Sequence, residues 1–353
     1  MRSPARWMTQ VRGDAAGPAP AEAPPDASAD AGQAPARRRM VVAPRALLSR
    51  YAVVIALIAM VVGFSIAEPV TFATTATFKS VLVTQAVLVV LALGLTVALA
   101  TGEFDLSITA VLGFSASLLA NLSATRGWPA GLALAATFGV ALLIGVVNGI
   151  FVVLLRVNSF ITTLGMGTLV SGLAVAITGA TTTGNIPSAL TTPTREQLLG
   201  LDLPVWYALL LVVVLWYVLE HTPLGRYVFF TGEGREAARL AGIRVDHIRF
   251  GGLVVSALGA WLAGVLLTGQ TGAANPSVGT PFLLPAFAAA FLGATTIRPG
   301  RYNAWGTLIA VYLLAVGTTG LQLLGAADWV TNVFNGGALV LAVTFAQLAS
   351  RER

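Results

Sequence analysis

Residues 80–101 read SVLVTQAVLVVLALGLTVALAT, 22 positions without a single charge. A helix of about 20 such residues rises some 30 Å, the thickness of a bilayer's hydrocarbon core, so the stretch reads as a transmembrane helix. Comparable runs recur on both sides of it, at 46–67, 105–124, 130–155, 159–178, 203–220, 248–270, 281–296, 303–325 and 329–349. The expected fold is therefore all-α, a polytopic membrane protein with about ten transmembrane helices. Two segments are read either as full spans or as half or re-entrant helices. The run at 105–124 starts on Asp105 directly after a Gly-Glu-Phe break, and the run at 281–296 is short and bounded by Pro281 and Pro285.

Composition agrees with this reading. Hydrophobic residues make up 56% of the 353, charged residues 10%, and the mean hydropathy is +0.82, which excludes a water-soluble globule and leaves no room for a large soluble domain. The net charge of +6 does not indicate nucleic acid, because the basic residues, nearly all Arg, are scattered between apolar runs. With no cysteine and only His221 and His247, thiolate or imidazole metal chemistry has few ligands. Residues 1–45, rich in Ala, Pro, Asp and Gly, lack apolar periodicity and are expected to form a disordered cytoplasmic tail ahead of a transmembrane domain at 46–350. No short apolar core with a cleavage site precedes Ala46, so a signal peptide is not expected.

Charge bias sets the orientation. With the amino terminus inside, the cytoplasmic segments hold the tail arginines together with Arg156, Arg226, Arg235, Arg239, Arg244, Arg249, Arg298, Arg301, Arg351 and Arg353. Lys79, Arg126 and Arg195 are left outside. An even number of spans returns the carboxyl terminus to the cytoplasm, and removing both doubtful spans preserves that result.

Three stretches break the apolar pattern. At Thr101–Ser107 (TGEFDLS), Glu103 and Asp105 bring two carboxylates to membrane depth, which is costly unless they are paired or hydrated; Asp105 or Ser107 can also cap the helix that follows. Around Asn148, Arg156, Asn158 and Thr162–Thr163, glycines at 149, 165, 167 and 172 permit close helix contact. The third is Thr222–Val245, TPLGRYVFFTGEGREAARLAGIRV, with four arginines and two glutamates. There Pro223 and Gly225 end the preceding span, Tyr227–Phe230 form an interfacial apolar strip, and Gly232–Gly234 turn the chain into a short helix. In that helix Glu236 sits in the first turn, Arg235 and Arg239 share a face, Ala237, Ala238, Leu240 and Ala241 leave a small apolar surface, and Gly242 is placed as a left-handed cap. Two turns are marginal alone, so packing or a partner must hold them.

These residues carry a resemblance. GEFDLSITAVLGFSA resembles the Gly-Gly-x-Asp-Leu-Ser-x-Gly signature of permease subunits of sugar-type ABC importers, the group of ribose, xylose, galactoside and autoinducer-2 permeases. NGIFVVLLRVNSFITTLGMGTLVSGLAVAITG is similar to that family's Asn-Gly, Phe-Ile-x-Thr-Leu-Gly and Arg-Gly-Leu region, with Ser171 in place of the usual Arg. GRYVFFTGEGREAARLAGIRV resembles its cytoplasmic coupling segment, and AAAFLGATTIRPGRYNAWGTLIAVYLLAVGTTGLQLLG its last glycine-rich tract. Two departures stand out: Glu103 replaces a small or aliphatic residue, and FLLPAFAAAFLGAT replaces a segment that commonly holds an acid.

The resemblance implies a transport subunit and not an enzyme. It implies that segment 222–245 couples to a separate cytoplasmic ABC ATPase through Glu233, Gly234, Arg235, Glu236, Ala237, Ala238, Arg239, Leu240 and Gly242. An extracytoplasmic solute-binding protein, a second permease subunit and the bilayer complete the partners. No phosphate-binding loop of the GxxxxGK[ST] form occurs, so no cofactor is expected on this chain and ATP is used by the partner. Polar residues expected on a solute pathway are Asp105, Asn148, Asn158, Thr163, Gln270 and Asn275. The alternative, an ion-coupled secondary transporter, needs ionisable residues at mid-membrane, and these are scarce. A membrane-embedded enzyme would need paired carboxylates, HExxH or a Ser/His pair, and none is evident.

Overall fold

A computed structural model describes residues 44–351, so the tail expected at 1–45 lies outside the described residues apart from Pro44 and Arg45, which open the first helix. The elements are α1 (Pro44–Ala67), α2 (Thr75–Ala100), α3 (Ile108–Ala120), α4 (Ala130–Gly149), α5 (Ser159–Thr178), α6 (Ser188–Arg195), β1 (Gln197–Leu198), β2 (Leu201–Asp202), α7 (Leu203–His221), α8 (Pro223–Glu233), α9 (Arg235–Leu240), α10 (Val245–Thr271), α11 (Leu283–Gly293), α12 (Ala304–Leu323) and α13 (Asp328–Arg351). α3 and α4 each end in a wider π-type turn, at Asn121–Thr125 and Ile150–Leu154.

Among the described residues, eight helices are long and apolar enough to cross a membrane: α1 to α5, α7, α10 and α12. The two doubtful segments separate on length. With its π turn α3 covers Ile108–Thr125, 18 residues or roughly 27 Å, enough to cross, whereas Thr280–Gly293 is an apolar helix too short to do so. α13, Asp328–Arg351, also has the length of a span but is not counted among the eight.

The bundle is built around α2 and α10. Every residue of α2 from Ala86 to Ala100 is buried, enclosed by α3, α7, α10, α11 and α12. α10 also carries α4 on its other side, α5 packs on α3, and α13 covers α11 and α12. The outer faces of α1, α5, α7 and α13 present large apolar side chains such as Ile66, Ile161, Leu210 and Trp329, which a hydrocarbon solvent accommodates. α2 and α10 approach closely because glycine meets glycine: a Cβ on Gly94 would lie 3.2 Å from the Gly259 Cα, and one on Gly259 only 2.9 Å from the Gly94 Cα. Side-chain oxygens fix the helix starts: Thr74 accepts from Thr77 N, Asn158 from Phe160 N, and Asn303 from Gly306 N.

The central block is more helical than its glycines suggested. Pro223 is the first residue of α8, where its missing N–H costs nothing, and Gly225 lies inside α8 against the Leu219 carbonyl. The turn expected at Gly232–Gly234 is therefore corrected to a break at Gly234 alone. Gly232 stays helical because its bare Cα lets α8 rest on the Ala100 carbonyl at the end of α2. Gly242 does take a left-handed conformation, φ 80°, after α9. Sequence reading also passed over α6 and the β1–β2 hairpin, which lie at the end of the bundle opposite the central block.

Overpacking the α2–α10 crossing tests this architecture. Gly259→Val forces a backbone shift and lowers stability by about 1–3 kcal/mol, seen as a lower melting temperature in detergent. Gly131→Ala, with nothing within 4 Å of the new methyl, leaves the melting temperature unchanged.

Candidate functional site

A charge inside an apolar bundle is tolerated only with a partner, and the placement of Glu103 follows from that requirement. Its side chain is 2% exposed, and its Oε1 accepts from Arg235 Nη2 at 2.7 Å and from Arg249 Nε at 2.5 Å. Arg235 Nη2 also donates to the Gly102 carbonyl at 3.1 Å. Arg249, one turn into α10, is itself buried and lies 3.8 Å from Asp246, which pairs with Arg239 at 2.8 Å. A chain of charge thus runs from α9 through the 101–107 loop into α10 and back to α9. Further pairs close the same end of the bundle: Arg301 with Glu233 at 3.2 Å, and Arg298 with Glu220 at 2.9 Å.

The loop is held from the other side by polar side chains. Phe104 N donates to Ser159 Oγ, Leu106 N to Thr163 Oγ1, and Thr163 Oγ1 donates to the Phe104 carbonyl. Asp105 Oδ1 accepts from the Ser107 amide and hydroxyl, and Asn148 Nδ2 donates to Ser107 Oγ at 2.9 Å. Ser107 occupies the cap position of α3 but its side chain bonds no amide of the helix, and Asp105 Oδ1 takes the Ser107 amide just ahead of it, so the side-chain cap expected from Asp105 or Ser107 is corrected to a turn closed by Asp105 before α3. Among the described residues Asn148 Oδ1 is buried without a hydrogen-bond partner.

Two cavities meet at Phe104. A polar one of about 720 Å³ is lined by Glu103, Arg156, Asn158, Arg235, Arg239 and Arg249 among others, and an apolar one of about 570 Å³ by Leu106, Phe160, Phe287, Phe291 and Tyr302. Burial beside Phe291, with ring centroids 6.0 Å apart, pushes the Tyr302 phenol above its ordinary range.

Of the six expected pathway residues, the structure gathers four around the loop and separates two. Asp105, Asn148 and Thr163 are fully buried and border neither cavity, whereas Asn158 caps α5 and lines the polar one. Gln270 lies about 21 residues along α10 from Arg249, roughly 30 Å away, donating to the Val83 carbonyl; Asn275 follows it at that far end. Of the nine expected coupling residues, Arg235 and Arg239 are committed to partners within the chain and Ala238 is 1% exposed, packed inward. The apolar surface read from Ala237, Ala238, Leu240 and Ala241 is corrected accordingly: at 100° per residue Ala238 falls on the inner face with Arg235. Glu236, Ala237, Leu240 and Ala241 remain exposed, Leu240 at 90%. Glu233, Gly234 and Gly242 flank the helix. Sequence reasoning counted Arg249 only as a topology marker; its position inside an apolar span was the signal that a buried acid had to face it.

Comparison with known proteins places these features in a family. Residues 77–343, from the first turn of α2 into α13, match the family model described as branched-chain amino acid transport system / permease component. The ribose import permease protein RbsC of Escherichia coli K12 is 31% identical over 300 residues, covering 82% of this chain and 91% of that protein. The chain belongs to this permease family. The permease is also similar to RbsC of Haemophilus influenzae, 28% identical over 258 residues covering 72% and 80% of the two chains. It is 29% identical to the autoinducer 2 import system permease protein LsrD of Photorhabdus luminescens over 260 residues, covering 72% and 78%. No solved structure matches it. It is a multi-pass membrane protein.

The charge chain makes a graded prediction for the permease. Glu103→Ala leaves Arg249 buried with only the distant Asp246 and costs about 3–5 kcal/mol, whereas Arg239→Ala breaks a solvent-exposed pair and costs less than about 1 kcal/mol. Melting temperatures of the two solubilised variants check the order.

Proposed function

We propose that the permease is the membrane subunit of an ATP-binding-cassette importer for a small hydroxylated solute, a monosaccharide or related polyol. An extracytoplasmic binding protein delivers the solute, and a separate cytoplasmic ATPase, which alone uses ATP, drives its passage between this chain and a second permease subunit. Both termini and the arginine-rich end face the cytoplasm in this reading. Ribose and autoinducer 2, the cargoes in the names of the relatives, support a hydroxylated solute.

The observation that carries the reading is the exposed face of α9. Leu240 is 90% exposed, with Glu236 and Ala237 beside it, on a six-residue helix whose other face is pinned by an ion pair and a buried alanine. A bare leucine flanked by Glu236, Arg239 and Arg244 is too polar in its surroundings for hydrocarbon, and it has the form of a knob for a protein groove. Asp105, Asn148 and Thr163 serve by holding the 101–107 loop in place. Asn158 stands at the cytoplasmic mouth, and Gln270 and Asn275 at the external one.

The test uses a tagged permease expressed with its ATPase subunit and gently solubilised. Leu240→Arg is expected to reduce the ATPase retained at least tenfold and to abolish ATP-dependent uptake of radiolabelled ribose into vesicles, with an unchanged melting temperature. Full retention by the variant, or ribose uptake that ignores ATP and follows an ion gradient, overturns the reading.

A further inference from the structure

We propose that Glu103 is a latch through which α9 moves the loop ahead of α3, so that the coupling helix reports to the membrane interior by one shared carboxylate oxygen. The inference rests on α9 being the docking helix. It adds a positioning role for Glu103, Arg235 and Arg249, none of which need touch solute or ATPase.

Three observations carry it. First, among the hydrogen bonds and ion pairs of the described residues, α9 reaches the 101–107 loop only through Arg235, which holds both the Glu103 carboxylate and the Gly102 carbonyl. Second, the loop is bonded onward to α5 by Ser159 and Thr163 and to α4 through Ser107 and Asn148, so a displacement of Gly102–Glu103 has definite destinations. Third, the two arginines are unequal. Arg235 is 44% exposed and can hydrate when it leaves, whereas Arg249 is 9% exposed and stays. Releasing Arg235 therefore never strands Glu103 as a lone buried charge, and the contact can open and close reversibly. A neutral residue at 103 would leave Arg249 short of a partner and give Arg235 no charge to hold. Gly232 rests on the Ala100 carbonyl and packs beside Gly102, so α8 touches the start of the loop by van der Waals contact, but among the described residues it makes no hydrogen bond or ion pair there.

The chain lacks cysteine, so single reporters can be placed cleanly. A bimane label on His247→Cys, exposed in the first turn of α10 beside α9, follows docking of α9, and one on Ile161→Cys, exposed on α5 between Ser159 and Thr163, follows the loop. Each is read in the purified permease with its ATPase partner before and after vanadate trapping with ATP. Both labels are expected to respond in the parent protein and in Arg235→Lys, which keeps the charge. In Arg235→Gln, and in Glu103→Gln where it melts like the parent, the His247 response should persist while the Ile161 response falls at least fivefold. An undiminished Ile161 response in Arg235→Gln overturns the latch and leaves docking intact. A silent His247 label in every variant overturns docking and, with it, the latch.

Discussion

A buried carboxylate has to be shared with cations that lipid cannot supply, and at Glu103 this requirement organises one end of the permease. Its two arginines come from different elements: one opens the short surface helix α9, the other sits a turn inside α10, the helix that packs along α2, α3 and α4. Because both lean on the same oxygen, the surface helix and the interior are joined by electrostatics in a low-dielectric setting, where attraction is strongest and an unpaired partner is most costly. The more exposed pairs nearby, Arg239 with Asp246 and Arg301 with Glu233, are screened by water and act as trim around that centre.

Around it the bundle provides a stiff frame with one polar seam. Close glycine contacts such as Gly94 with Gly259 bring α2 and α10 together without voids, so a push on the loop is not absorbed by loose packing. The seam runs from Glu103 through Asp105, Ser107 and Asn148, each reached by short side chains. Phe104 lies between a polar cavity under the arginines and an apolar one between α5, α11 and α13, so any movement of the loop alters both.

Much of this was legible in the residues, for physical reasons. Apolar runs must be about a bilayer long, so the spans from α1 to α12 were located within a few residues, and Pro281 with Pro285 flagged the one segment too short to cross. The left-handed glycine after α9 followed from Gly242. Glycine's two uses misled the reading at Gly225 and Gly232, because a residue that breaks helices also lets helices touch, and only the neighbouring carbonyls of Leu219 and Ala100 distinguish the cases. The same one-dimensional view could not show that Arg235 and Arg239 also pair within the chain. Which partner a cation chooses across 132 residues of sequence is a tertiary fact, and no local pattern pairs Arg235 with Glu103.

The central claim is that α9 and the 101–107 loop move as one unit. Amide hydrogen exchange of the permease in detergent, with and without its ATPase subunit and trapped nucleotide, tests it most directly. The account predicts altered protection in α9 and, in parallel, at Phe104, Leu106 and the first turn of α5, with Gln270 and its neighbours unaffected. Changes confined to α8 and α9, with the loop amides unmoved, would contradict it.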